Sequence, residues 1–339
     1  MQQFISTSPF ELENGSVLPR LQIGYHTWGA LNANRDNVVW ICHALTASSD
    51  AADWWPGMIG EGCVLDPAHH FIVCANILGS CYGSTGPMEV NPATGTPYFH
   101  DFPQLTIRDM VQAHILLRKH LGIDHIALLM GGSMGGYQAL EWSLAEPGNI
   151  GKLFLIATSP QESAWGIAIH TAQRLAITAD QTWQDHTPAA GAAGLKAARA
   201  IGMLTYRHYE AFVRQQTDGD YSKLDHFKAS AYIEYQGQKL VNRFNAYSYW
   251  ILGKAMDSHH IARGRGGSVA QVLQSIVQPA LIIGIDTDQL CPVAEQQFMA
   301  TYMPHAAFEV IGSAFGHDGF LVEAPTVSTL LRSWWQRQP

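Results

Sequence analysis

Short apolar runs recur along the chain, with helix-period stretches between them. Val38–Cys42 is apolar throughout, as expected of a central parallel strand covered on both faces. Residues 70–77, 125–130, 152–158, 278–284 and 308–311 read as further buried strands, and 22–28 alternates like a half-buried one. Ile107, Met110, Val111, Ile115 and Leu117 fall at helical spacing, with Thr106 placed to cap the helix and Gly122 to stop it. Residues 137–145 and 326–335 read as further helices, the last of them amphipathic and terminal. Strand and helix alternating in this way predict an α/β fold, with a mostly parallel central sheet and helices on both faces. The rhythm stops at 160–275, which has no clear strand pattern and carries helix-period stretches such as 194–203 and 240–252. The expected organisation is a core formed by 1–159 and 276–339, with 160–275 inserted as a helical lid.

Composition narrows the class. Hydrophobic residues make up 47% and charged residues 14% of the 339, enough to bury a large core under a sparsely charged surface. The formal charge of -8, with no basic block, argues against nucleic acid as a partner. The five cysteines show no C-x-x-C spacing, so neither a disulfide framework nor a metal site is expected, and a reducing cytoplasm fits best. The first residues lack the pattern of a signal peptide, and no apolar run is long enough to span a bilayer, so no membrane association is expected.

The chemistry centres on 130–136, Met-Gly-Gly-Ser-Met-Gly-Gly, between a strand and a helix. Glycines on both sides of one serine suit a sharp turn that holds the hydroxyl clear of the backbone, which makes Ser133 the candidate nucleophile. A serine hydroxyl needs a base and a group to orient that base, and the α/β-hydrolase chain order is serine, acid, histidine, each after a strand. Asp286 and Asp288 follow the strand at 278–284, and His317 follows the last strand. Asp288 is preferred because it lies further past its strand, where a loop can turn it toward His317; Asp286 would cap the turn. By position, the backbone N–H groups of Met134 and Leu45 are the expected oxyanion donors.

Several segments together resemble one family: His43 to Thr46, Gly83 to Pro87, Gly131 to Gly136, Ala198-Arg199 with Thr205-Tyr206, Ala255 to His259, Asp288 to Leu290, and Gly316 to Asp318. The chain is similar to homoserine O-acetyltransferases from about Phe10 to the terminal helix. The resemblance implies a Ser133, Asp288, His317 triad. It also implies Arg199 on the carboxylate of L-homoserine, Tyr206 in the same pocket, and Asp318 on the substrate ammonium, an arrangement suited to a planar guanidinium and a carboxylate. Acetyl-CoA, or another acyl-CoA, is implied as co-substrate, with no tightly bound cofactor, and a homodimer built through the lid helices.

The sequence leaves acetyl and succinyl donors open, and homoserine and serine acceptors. A carboxylesterase or thioesterase of the same fold would share the triad without needing Arg199 and Asp318. Coenzyme A brings phosphates to an acidic chain, and Arg263 and Arg265, in a glycine-rich run, are the expected cationic contacts. Trp165, Tyr232, Tyr235, Tyr247, Tyr249 and Trp250 are candidates for the roof of a tunnel, or for the lid's own core or a dimer interface. Two departures from the family pattern stand out. Asn245 replaces an expected aspartate, and 47–49 lacks a glycine expected after Thr46, beside the oxyanion loop, where it bears on which acyl group fits.

Overall fold

Buried backbone must find hydrogen-bond partners, and apolar runs find them in each other. The computed structural model describes residues 1–338. Its strands are β1 (Gln2–Ser6), β2 (Phe10–Glu11), β3 (Val17–Leu18), β4 (Leu21–Trp28), β5 (Val38–Cys42), β6 (Phe71–Ala75), β7 (Ile126–Gly132), β8 (Ile150–Ile156), β9 (Ala280–Ile285) and β10 (Ala306–Ile311). Among the described residues the main sheet has eight strands in the order β1-β4-β6-β5-β7-β8-β9-β10, and β2 pairs with β3. From β6 to β10 all neighbours are parallel, while β4 runs antiparallel to both β1 and β6. The sheet is therefore mostly parallel.

The unbroken apolarity of β5 has a direct cause. Val38, Trp40 and Cys42 pack into the core on one face of the sheet, and Val39 and Ile41 into the core on the other. The helices in chain order are α1 (Ala51–Trp54), α2 (Ile107–His120), α3 (Met134–Ala145), α4 (Ala164–Thr178), α5 (Ala192–Tyr206), α6 (Tyr209–Gln216), α7 (Lys228–Val241), α8 (Ala246–Asp257), α9 (Val269–Gln274), α10 (Val293–Tyr302), α11 (Gly319–Val322) and α12 (Ala324–Gln336). Helices α2 and α3 supply one core, and α12 supplies the other through Val327, Leu331 and Trp334. Thr106 caps α2 in a capping box with Asp109, and Gly122 takes a φ of 63° just past its end.

Helices α4 to α9 lie between β8 and β9. The stretch 240–252, expected as one helix, is two: α7 ends at Val241 and α8 begins at Ala246. Asn245 makes the break, because its side chain accepts the Ser248 N–H as the cap of α8. An asparagine does this as well as the aspartate it replaces. The N-terminal strands β1, β2 and β3 were not expected, being short. Among the described residues, no helix is long and apolar enough to cross a membrane.

Candidate active site

Ser133 sits where β7 turns into α3, with φ 54° and ψ -129°, a conformation that costs a non-glycine residue on the order of 1–3 kcal/mol. The surroundings hold it there. Its N–H donates to the Ile156 carbonyl, and its own carbonyl accepts from the Gly136 N–H and from Thr158 Oγ1 at 2.8 Å. A Cβ on Gly135 would overlap the Cys42 carbonyl oxygen, and one on Gly136 would overlap Thr158 Oγ1. These glycines let α3 start close against β5 and the end of β8.

Ser133 Oγ lies 2.8 Å from His317 Nε2, and His317 Nδ1 lies 2.7 Å from Asp288 Oδ2. The other Asp288 oxygen, Oδ1, accepts the N–H groups of Leu290 and Cys291 at 2.8 and 2.9 Å, which fixes the carboxylate. Asp286 does different work: its Oδ1 accepts the Ser313 N–H at 3.0 Å and pins the turn after β10. Thr287 ties the same turn by donating to the Ser313 carbonyl and accepting the Gly316 N–H. Burial of the His317 imidazole works to depress its pKa, but the Asp288 charge and hydrogen bond, with Asp318 and Glu162 behind them, outweigh it and raise the pKa above the ordinary value.

Asp288, Cys291 and His317 also form a grouping of the kind that can hold a metal ion. Both His317 nitrogens are already engaged, and burial pushes the Cys291 thiol well up, so the set does not offer free donors.

A cavity of about 550 Å³ opens above Ser133 and His317. Leu45, Arg199, Tyr206 and Asp318 line it, as do Met256 and Leu290. The Arg199 guanidinium stands 5.3 Å from the centre of the Tyr206 ring, whose own centre is 5.9 Å from that of His317. Burial raises the Tyr206 phenol despite the Arg199 charge beside it, so the hydroxyl stays protonated. Met134 is the first residue of α3, where a backbone N–H has no acceptor within the helix.

The partners that hold several residues of the site carried no signal in the sequence. His43 Nδ1 donates to the Ala44 carbonyl at 2.9 Å while Nε2 accepts the Ile77 N–H at 3.2 Å, which fixes the tautomer and the start of the loop holding Leu45. Burial lowers its pKa to about 4, so it stays neutral. His170, on α4, lines the cavity and is held by Asp257 Oδ1 at 2.9 Å; Asp257 also meets Arg174 at 2.6 Å. Asp318 is not alone, because Arg207 Nη2 lies 3.4 Å from its Oδ2. A histidine or aspartate on a helix predicts none of this, since the partners come from distant parts of the chain.

One expectation requires correction. Arg263 and Arg265 do not line the cavity. Arg263 meets Glu13 at 3.0 Å and Arg265 meets Glu141 at 2.6 Å, where Arg108 bridges the same two carboxylates at 3.0 and 3.1 Å. Glu141 is buried, so its charge demands these partners, and the glycine-rich run is a clamp between the helical insertion and the core. Of the places the sequence left open for the lid aromatics, Tyr247 is buried among Phe99, His100 and Trp183, Tyr249 is buried behind Tyr206, and Trp165 and Tyr235 face outward, so none of the four lines the cavity. Its helical wall comes instead from His170, Arg199, Tyr206, Lys239, Arg243 and Met256.

The sequence and the fold resemble those of known proteins. Residues 37–324 match the family model described as the alpha/beta hydrolase fold. The homoserine O-acetyltransferase of Cyclobacterium marinum is 46% identical over 332 residues, which are 98% of this chain and 94% of that protein. The crystal structure of homoserine O-acetyltransferase from Bacillus anthracis superposes with a TM-score of 0.92 at 25% identity, covering 99% of this chain and 97% of that one. An acetylester hydrolase from Corynebacterium glutamicum shares the fold, with a TM-score of 0.83 at 21% identity over 99% of this chain and 96% of its own. On the nearly full-length identity to its relatives, the chain belongs to the homoserine O-acetyltransferase family of the α/β-hydrolase fold.

Proposed function

We propose that this enzyme transfers the acetyl group of acetyl-CoA to the hydroxyl of L-homoserine through an acetyl-Ser133 intermediate, a step of methionine biosynthesis. The observation that carries the reading is the continuous hydrogen-bonded relay from Ser133 Oγ through His317 to Asp288, opening on a cavity that also presents Arg199.

Asp288 accepts the His317 Nδ1–H, which leaves Nε2 free to take the Ser133 proton as Oγ attacks the thioester carbonyl. The oxyanion accepts hydrogen bonds from the N–H groups of Leu45 and Met134. Collapse breaks the carbon–sulfur bond, and the departing thiolate of coenzyme A takes the proton from His317 Nε2. Homoserine then enters. Arg199 takes its carboxylate and Asp318 its ammonium, His317 removes the hydroxyl proton, and the alkoxide attacks the acetyl-serine to release O-acetylhomoserine and restore Ser133 Oγ–H. Arg207 beside Asp318 holds that carboxylate in place while weakening its pull on the ammonium.

The same triad in an open cleft would hydrolyse esters, because water outnumbers a dilute acceptor by roughly 10⁴-fold or more. Lining by the helical insertion limits that reaction, and this is the role of a lid. Positioning of the acceptor supplies the rest as effective concentration. We read the enzyme as a homodimer joined through these helices, where Leu175, Leu204 and Tyr209 are more than half exposed.

Thiol release from acetyl-CoA, followed with and without homoserine, tests the reading. Release should depend on homoserine and yield O-acetylhomoserine by mass; release independent of an amino-acid acceptor would make the enzyme a thioesterase. Ser133→Ala should abolish both while keeping the folded circular-dichroism spectrum.

A further inference from the structure

Three cationic side chains line the cavity, Arg199, Lys239 and Arg243. Among the described residues, none of them has a carboxylate within ion-pair distance. This contrasts with Arg263 and Arg265, whose charges are spent on Glu13 and Glu141. In a chain of formal charge -8, cations left uncompensated around one cavity mark where an anion is received.

The three lie at different depths. Arg199 is half-buried near Tyr206, whereas Lys239 on α7 and Arg243 just beyond its end are exposed. Lys239 and Arg243 therefore sit at the solvent end of a cavity whose inner end holds the buried His317. Arg243 is fixed by neutral acceptors: Nη1 donates to the Thr46 carbonyl and to the Tyr82 hydroxyl at 2.5 and 2.6 Å, and Nη2 to Thr46 Oγ1 at 3.4 Å. These bonds aim the guanidinium without neutralising it, and its Nε–H has no acceptor among the described residues. One acid, Asp53, also lines this end and is exposed, so it disfavours anions only through solvent.

We infer that Lys239 and Arg243 form the phosphate-binding site for the coenzyme A moiety of the acyl donor, at the outer end of the cavity. The inference rests on the acetyl-CoA reading above. A thioester carbonyl placed at Ser133 directs the pantetheine arm along the cavity and leaves the diphosphate and the 3′-phosphate outside, where the two cations stand. Arg243 also touches Thr46, the neighbour of Leu45, so a bound phosphate tightens the loop that carries an oxyanion donor.

The test compares kcat/KM for acetyl-CoA with that for S-acetyl-N-acetylcysteamine, a thioester without phosphates, both with homoserine as acceptor. In Lys239→Gln the ratio should fall on the order of tenfold, the effect of one charge-assisted contact, and Lys239→Arg should restore it. Arg243→Lys should lower the ratio as well, and added salt should raise KM for acetyl-CoA in the wild type more than in Lys239→Gln. Arg263→Gln, the control outside the cavity, should keep the wild-type ratio. An unchanged ratio in both Lys239→Gln and Arg243→Lys, in an enzyme that still acetylates homoserine, would overturn the site alone. A wild type that acetylates homoserine from neither donor, yet hydrolyses p-nitrophenyl acetate, would overturn the function reading and the site with it.

Discussion

At the scale of single residues, the site depends on what each side chain is prevented from doing. Asp288 cannot rotate, because Oδ1 is held by two backbone N–H groups while Oδ2 meets His317. His317 is thereby kept as the tautomer with Nε2 facing Ser133, and its pKa is raised above the ordinary value of about 6.5. A protonated imidazole cannot take the Ser133 proton, so kcat/KM should fall as the pH drops through a midpoint above that value. Asp288→Asn removes the charge that raises the pKa and leaves the burial that lowers it. Its acid limb should move to lower pH, with kcat reduced on the order of 10³- to 10⁴-fold, the loss seen when a triad acid is neutralised elsewhere. A pH–rate profile for both forms checks the two effects separately, and a limb that stays in place would remove Asp288 from this role. Arg263 and Arg265 teach the converse: arginines in a glycine-rich run look available, yet the buried Glu141 on α3, 124 positions before Arg265 in the chain, has first claim on one of them.

At the scale of elements, the turn between β7 and α3 is where local sequence and tertiary packing meet. Glycine at 135 is required by the Cys42 carbonyl of a neighbouring strand, not by the turn itself, since a Cβ there would overlap that oxygen. Gly135→Ala should therefore destabilise the fold by roughly 1–3 kcal/mol or more, as overpacking does. Gly148→Ala, where an added Cβ meets nothing within 4 Å, should change stability little. Thermal or urea unfolding of the two variants makes the comparison, and equal stability would show that α3 can shift away from β5. The strands from β5 to β9 were legible because each buries both faces and so reads as a continuous apolar run, whereas β10, at the sheet edge, exposes Glu309 and Val310. The break between α7 and α8 was not, since Leu240 and Phe244 are both buried and the apolar pattern continues across it. Asn245, a residue whose capping role shows only in its bond to Ser248, decides that boundary.

At the scale of the whole molecule, Ser133, Asp288 and His317 follow the C-terminal ends of the parallel strands β7, β9 and β10, and the segment between β8 and β9 contributes Arg199, Tyr206, Lys239 and Arg243 to the cavity there. Its outer side leaves Leu175 on α4 and Leu204 on α5 exposed, at 64% and 62%. If these form the homodimer interface, Leu175→Glu with Leu204→Glu should convert a dimer to a monomer in light scattering coupled to size exclusion. A wild type already monomeric at micromolar concentration would refute the interface. The sequence by itself determined the order of strands and helices, the glycine-flanked serine and the succession of serine, acid and histidine, because these depend on periodicity and on neighbours along the chain. Asp288 was already preferred over Asp286 along the chain, but the separate bonds that each aspartate makes, the neutral His43 that pins the loop holding Leu45, and the division of arginines between clamp and cavity were decided by tertiary structure alone. Each turns on which partner stands within about 3 Å, and those partners lie far away in the chain.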